Sequence, residues 1–149
     1  MVSFDTNVLV YASGAGPADK RRRAEEVMAR SMLDGTGVLL LQALAEFSNV
    51  ALRKYRLRND DVEAMLSAWQ ATMPVHAAVQ DDLASALTAV KGHHIQFWDA
   101  MLWAAARRIG VRHILSEDFQ DGRVLDGVTF LNPFNPANDA AVERLLPRP

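Results

Sequence analysis

Apolar residues along the chain alternate between short blocks of the kind that build strands and longer stretches with helical spacing. The first block, Val2-Ser3-Phe4, runs into Asp5-Thr6-Asn7 and then Val8-Leu9-Val10-Tyr11, which reads as an opening strand that delivers Asp5 at its end. Gly14-Ala15-Gly16-Pro17 follows as a turn, with Pro17 suited to the first position of a helix. That helix is expected to reach about Leu33, to turn Ala24, Val27, Met28 and Met32 inward, and to stop at Asp34-Gly35-Thr36-Gly37. Val38-Leu39-Leu40-Leu41 is a short unbroken apolar run after a glycine turn, the pattern of a strand covered on both faces.

Gln42 to about Tyr55 then has helical spacing, and Asn59 caps a further helix that carries Val62, Met65, Leu66 and Trp69 on one face and ends before Pro74. Pro74-Val75-His76 suits a short edge strand. Gln80 to Val90 is expected to be helical, with Leu83, Leu87 and Val90 as its buried stripe and Gly92 just past its end. In the helix from Gln96 to Ile109, Ala100, Ala104 and Ala105 allow close approach to a sheet, and Gly110 ends it. His113-Ile114-Leu115-Ser116 and Val128-Thr129-Phe130-Leu131 are the last strands, and Asn135-Pro136 starts a terminal helix through Leu146. The order β-α-β-α-α-β-α-α-β-β-α predicts a single α/β domain over residues 1–149, with a mainly parallel central sheet flanked by helices.

The length of 149 residues suits one core, and the chain is half hydrophobic with less than a quarter of it charged. With no cysteine, disulfides and thiolate metal sites are both excluded. Neither a leader pattern nor a long uncharged apolar run is present, so a cytoplasmic protein without a membrane span is expected. The net charge of −2 decides nothing about nucleic acid, because setting four carboxylates aside for a cation leaves the remainder slightly basic.

Four acids stand apart from that background. Asp5 is the first ionisable side chain of the sequence proper and has no charged neighbour before Asp19. Glu46 is isolated between Asp34 and Arg53, in the first turn or so of a helix that follows a strand. Asp99 is framed by Phe97-Trp98 and Ala100-Met101-Leu102, again in a first helical turn, and Asp118 follows the strand ending at Ser116, with Glu117 beside it. In a parallel sheet, strand C-termini and the N-termini of the helices that follow share one edge, so these acids can converge. Two carboxylates about 4 Å apart repel by roughly 4 kcal/mol at an effective dielectric near 20, a cost that a hard divalent cation removes. All-oxygen donors point to Mg²⁺, or Mn²⁺, rather than zinc, and such a cation activates water for in-line attack on a phosphodiester.

Read singly, each acid has a bland alternative: Asp5 as a turn residue beside Asn7, Glu46 as a partner of the helix dipole, Asp99 as the third-position acid of a capping box. His76, His93, His94 and His113 show no ligand spacing with one another. Phe97, Trp98 and Trp103 are expected in the core rather than as a base-stacking platform.

Taken in order, Phe4-Asp5-Thr6-Asn7-Val8-Leu9, Ala45-Glu46-Phe47, Phe97-Trp98-Asp99-Ala100 and Leu115-Ser116-Glu117-Asp118-Phe119 resemble the PIN-domain nucleases, and within them the VapC-type toxins of bacterial toxin–antitoxin pairs. The resemblance implies an Mg²⁺-dependent endoribonuclease acting on RNA, with Asp5, Glu46, Asp99 and Asp118 as catalytic, metal-holding acids. It also implies a homodimer and a cognate antitoxin that holds the enzyme inactive. Gln96 departs from the pattern, since a small hydroxyl residue commonly caps the helix before the third acid. Thr6, Asn7 and Ser116 are expected to orient carboxylates or water.

The doublet Glu117-Asp118 leaves two candidates for the fourth acid. If extended geometry continues past Ser116, Ile114, Ser116 and Asp118 share one direction, which places Asp118 on the metal side and Glu117 outside it. Lys20, Arg21, Arg22 and Arg23 at the start of the first long helix offer a phosphate contact or a solvated face, and so do Arg53, Lys54, Arg56 and Arg58. Two other readings stand beside the ribonuclease: a strand-end aspartate phosphatase of the haloacid-dehalogenase type, disfavoured by Asn7 where a second aspartate is expected, and a non-catalytic module that binds a metal or a partner.

Overall fold

The computed structural model describes residues 1–148. Strand β1 (Val2–Phe4) delivers Asp5 at its end as expected, and Thr6–Ala12, which the apolar pattern does not mark as an element, is a helix, α1. The run Val8-Leu9-Val10 is buried on helix rather than strand, and its β-branched composition hides helical periodicity. Asp5 has extended geometry (φ −78°, ψ 164°) and caps α1 by accepting from the Thr6 amide at 2.7 Å.

Helix α2 (Ala18–Leu33) has Pro17 at its cap position, one residue earlier than expected, and buries Ala24, Val27 and Met28. Arg30 is also buried, donating to the Leu146 carbonyl and pairing with Glu26 and Glu143, which ties α2 to the C-terminal helix. Strand β2 (Leu39–Leu40) leads directly into α3 (Leu41–Arg53), and α4 (Asn59–Gln70) leads to β3 (Val75–His76), the expected edge strand, parallel to β2.

Helix α5 (Gln80–His93) departs from the predicted face, of which only Val90 packs, in part, against the core. Asp82, Ala86 and Ala89 are buried, whereas Leu83 and Leu87 are 43% and 56% exposed. Small residues allow α5 to lie close on α6 (Phe97–Arg108), which buries Ala100, Leu102, Trp103, Ala104, Ala105 and Ala106. Asp82 is held by Arg108 at 3.0 Å and accepts from the Val79 amide at the helix start. Gly92 lies inside α5, and His94 with φ 52° supplies the left-handed cap.

Strands β4 (His113–Leu115), β5 (Val124–Leu125) and β6 (Val128–Leu131) complete the main sheet, in the order β1-β4-β6-β5. Among the described residues only β5 is antiparallel, joined to β6 through Asp126-Gly127 as a hairpin that the apolar pattern does not mark. The chain ends in a 3₁₀ turn (Pro136–Asn138), capped by Asn135, and α7 (Asp139–Leu145).

The small β2-β3 sheet meets β1 through one bridge, Val2 to Gly37, with backbone bonds of 2.9 Å on each side. Glycine is required there by close approach: a Cβ on Gly37 would lie 2.7 Å from Met73 Sδ and 2.9 Å from Ser31 Oγ. Strand order leaves β1 toward β2 on one side and toward β4 on the other, so the carboxyl end of β1 is a topological switch point.

Candidate functional site

At that switch point a cavity of about 380 Å³ is lined by Asp5, Glu46, Asp99, Glu117 and Asp118, together with Thr6, Asn7, Val10, Tyr11, Val50, Lys54 and Tyr55. Asp5 follows β1, and Asp118 follows its parallel neighbour β4, whose pairing extends one step further through the Asp5 amide on the Leu115 carbonyl at 2.9 Å. Glu46 sits in the second turn of α3 rather than the first. Asp99 lies in the first turn of α6, which follows α5 rather than a strand and reaches the same pocket from the start of that helix.

The Asp5 carboxylate is bonded on both oxygens. Oδ1 accepts from the Thr6 amide, while Oδ2 accepts from Ser116 Oγ at 2.6 Å and from Asn7 Nδ2 at 3.2 Å. Asn7 Nδ2 also donates to Asp118 Oδ2 at 3.0 Å, and Ser116 Oγ accepts from the Asp118 amide at 3.1 Å. Glu46 is oriented by Thr6 Oγ1 at 3.1 Å and by Gln42 Nε2 at 2.9 Å, and Gln42 donates in addition to the Trp98 carbonyl. No capping-box bond from Asp99 is formed at the start of α6, and Gln96 makes no side-chain cap there either.

Strand geometry stops at Leu115 and the chain bends at residues 117–119, so the extended continuation assumed for the fourth acid is absent. The two candidates nevertheless face different partners. Asp118 is bonded to Asn7, whereas Glu117 accepts from the Tyr11 hydroxyl and pairs with Lys20.

Burial, above all, and then the nearby Asp118 and Asp99 carboxylates push the Asp5 pKa up to about 6, despite the Ser116 and Thr6 hydrogen bonds that pull it down. Asp99 is likewise raised, by burial first and then by Asp118 and Glu46. These mutual effects record several carboxylates sharing one low-dielectric region. Among the described residues no three acids or histidines already stand at metal-holding spacing. The donor set nevertheless fits a hard cation chemically: all donors are oxygens, their charges repel, and the buried Asn7 Oδ1 is an acceptor without a protein donor.

The basic run at the start of α2 divides. Lys20 is committed to Glu117 and lies 5.2 Å from the Tyr11 ring centroid, and Arg23 is held by Glu26, Asp139 and the Pro133 carbonyl. Arg21 donates to the Gly14 carbonyl, and Arg22 is exposed. Trp103 is in the core and donates to the Leu125 carbonyl, but Trp98 is 63% exposed beside Gln42, Ala45 and Glu46, against the core expectation. Tyr11, Gln42 and Tyr55 were missed as site residues. Their signal was the four-residue spacing that places Gln42, Glu46, Val50 and Lys54 on one face of α3 and its end, and Asn7 and Tyr11 on one face of α1.

By sequence, the family described as PIN domain matches residues 2–123. No curated protein matches the chain. Among solved structures, the fold is similar to VapC20 of Mycobacterium tuberculosis, described as a sarcin–ricin loop cleaving toxin, at a TM-score of 0.62 and 17% identity over 79% of this chain and 90% of that one. It is also similar to a chain of a toxin–antitoxin complex from Klebsiella pneumoniae, at a TM-score of 0.64 and 18% identity over 89% of this chain and 98% of that one.

Proposed function

Because the chain belongs to the PIN domain family, we propose that it is an Mg²⁺-dependent endoribonuclease and the toxin of a toxin–antitoxin pair. The observation that carries this reading is the convergence of Asp5, Glu46, Asp99 and Asp118 on one pocket, with the Asp5 carboxyl pushed up to about 6 by burial and by its neighbours. These four residues would hold the cation, Mg²⁺ or Mn²⁺. When bound, it supplies charge neutralisation and a water of lowered pKa for hydrolysis of the phosphodiester to 5′-phosphate and 3′-hydroxyl ends.

The chain's own residues prepare that chemistry. Ser116 and Asn7 fix Asp5 Oδ2, Asn7 holds Asp118 in the same orientation, and Thr6 with Gln42 fixes both oxygens of Glu46. Holding these carboxylates before substrate arrives avoids reorganisation during the reaction. Glu117 stays outside the set, because Tyr11 and Lys20 engage it. The fold likeness to a toxin and to a toxin–antitoxin complex supports an antitoxin partner, and the exposed face of α5 supports a homodimer.

RNA cleavage by the purified chain with and without Mg²⁺, compared with Asp5→Asn and Asp99→Asn, tests the assignment. Both substitutions are expected to abolish cleavage while the chain stays folded, and undiminished cleavage by either would overturn the site. Copurification with the product of a neighbouring small reading frame tests the antitoxin.

A further inference from the structure

Two helices wall the pocket, and their residues change character together along its length. At the acid end Thr6 of α1 bonds Glu46 of α3. One turn further along each helix stand Val10 and Val50, and one turn beyond Val50 stands Lys54, followed by Tyr55. At about 1.5 Å per residue, Lys54 lies roughly 12 Å along the helix direction from Glu46, with which it forms no ion pair. Its ammonium has no ion-pair partner among the described residues and sits 5.5 Å from the Tyr55 ring centroid. The other lysine near the pocket, Lys20, is already neutralised by Glu117.

We propose that Lys54, Tyr55, Val50 and Val10 form a nucleotide subsite that takes one unpaired nucleotide of the RNA next to the scissile phosphate. Lys54 receives the phosphate, and Tyr55 with Val50 receives the base, the largely buried Val10 backing that wall. An alternation of anionic phosphate and flat apolar base is what single-stranded nucleic acid presents, and an ammonium beside an aromatic ring and an aliphatic strip complements it. The cavity volume of about 380 Å³ also lies in the range of about 300–1,000 Å³ typical of small-ligand pockets. The subsite rests on the ribonuclease reading and adds positioning residues to it.

The test uses the full chain carrying Asp99→Asn, with a fluorescein-labelled single-stranded hexauridine in Mg²⁺ buffer, read by anisotropy. Adding Lys54→Gln is expected to weaken binding about tenfold and to lower the salt slope by about 0.7, the loss of one phosphate contact. Tyr55→Leu is expected to weaken it about tenfold without changing the slope, while Lys54→Arg and Tyr55→Phe retain binding. Arg58→Gln, whose side chain is exposed and paired with Asp61 outside the pocket, leaves both quantities unchanged. In the otherwise wild-type chain, Lys54→Gln raises KM with kcat little altered.

Equal affinity and salt slope for Lys54→Gln would overturn the subsite, and the nuclease reading would stand if the wild type still cleaves. Lys54-dependent binding without any cleavage would keep the subsite and remove the hydrolytic reading. A Lys54→Gln defect toward an acidic partner protein, with hexauridine binding intact, would also overturn it. Should Tyr55→Leu fail to fold by circular dichroism, Lys54→Gln and its Arg rescue decide the matter alone.

Discussion

Asn7 Nδ2 donates to Asp118 Oδ2 at 3.0 Å across 111 residues of sequence, and the same nitrogen reaches Asp5 Oδ2 at 3.2 Å. One neutral amide thus holds two like charges in a fixed relation. Replacing it by alanine leaves both carboxylates less constrained without adding or removing charge. Asn7→Ala is therefore expected to lower kcat/KM by about 10- to 100-fold, the usual cost of losing an orienting partner, with a stability loss of only about 1 kcal/mol. Steady-state cleavage and urea denaturation check both halves, and unchanged kcat/KM would contradict the role.

Asp5 makes metal-free stability depend on pH. Its pKa is about 6 in the folded chain against 3.8 as the reference for the unfolded one, so the folded state holds the proton more tightly. The associated stability is fully present below about pH 4 and is lost as pH rises through about 6, a change on the order of 3 kcal/mol, and Asp99 adds in the same direction. Glu26, Asp121 and Glu143 are shifted downward, their hydrogen-bond and charge partners outweighing burial, and they act in the opposite sense. The prediction is accordingly read as the difference between wild type and Asp5→Asn in EDTA: the variant gains relative stability from pH 4 to pH 7. Mg²⁺ at pH 7 is expected to restore the wild type by binding its native state. A difference that stays flat across this range would contradict the assignment.

The two adjacent acids should separate in a cleavage assay at matched Mg²⁺ concentrations. Asp118→Asn is expected to lose more than the about 100-fold typical of an orienting residue. Glu117→Gln should retain activity to within about tenfold, because Glu117 is engaged by Tyr11 and Lys20 rather than by Asn7. Equal defects would place both acids in the set.

Leu83 and Leu87 are exposed beside Val79, at four-residue intervals on one face of α5. Fully burying an exposed leucine is worth about 1.5–3 kcal/mol and these two are about half exposed, so covering them contributes roughly half of that each, and the proposed homodimer is expected to use this face. Leu83→Glu combined with Leu87→Glu should give a monomer by light scattering with an unchanged circular dichroism spectrum. A monomeric wild type would contradict the assembly.

Much of the architecture was legible because glycine turns and apolar blocks mark the β2, α3, α4, β4 and β6 regions directly, and the acids were legible because each interrupts apolar sequence. The errors have physical causes. Helix α1 is too short and too buried for its periodicity to show, so Val8-Leu9-Val10 carries no element signal of its own. On α5 the pattern selected the larger apolar residues, while the packing required the smaller Ala86 and Ala89 to bring α6 close. Arg30 reads as a surface residue until Glu26, Glu143 and the Leu146 carbonyl come together around it. Lys54 and Tyr55 gain their meaning only when the end of α3 borders the same cavity as Asp5.

Gly37 lies on the seam between the two sheets, which are held there by a single bridged pair. Asp5 and Asp118 belong to the main-sheet side of that seam, whereas Glu46 is carried by the helix that leaves the small sheet. The spacing between the carboxylates is thus governed partly by a residue with no functional group at all. Any side chain at position 37 would press on the packed Met73 and Ser31 side chains and displace them at this seam, next to the one bridged pair that joins the two sheets. The arrangement of the acids therefore depends on packing at a seam remote from the pocket, through a residue that lines no part of it.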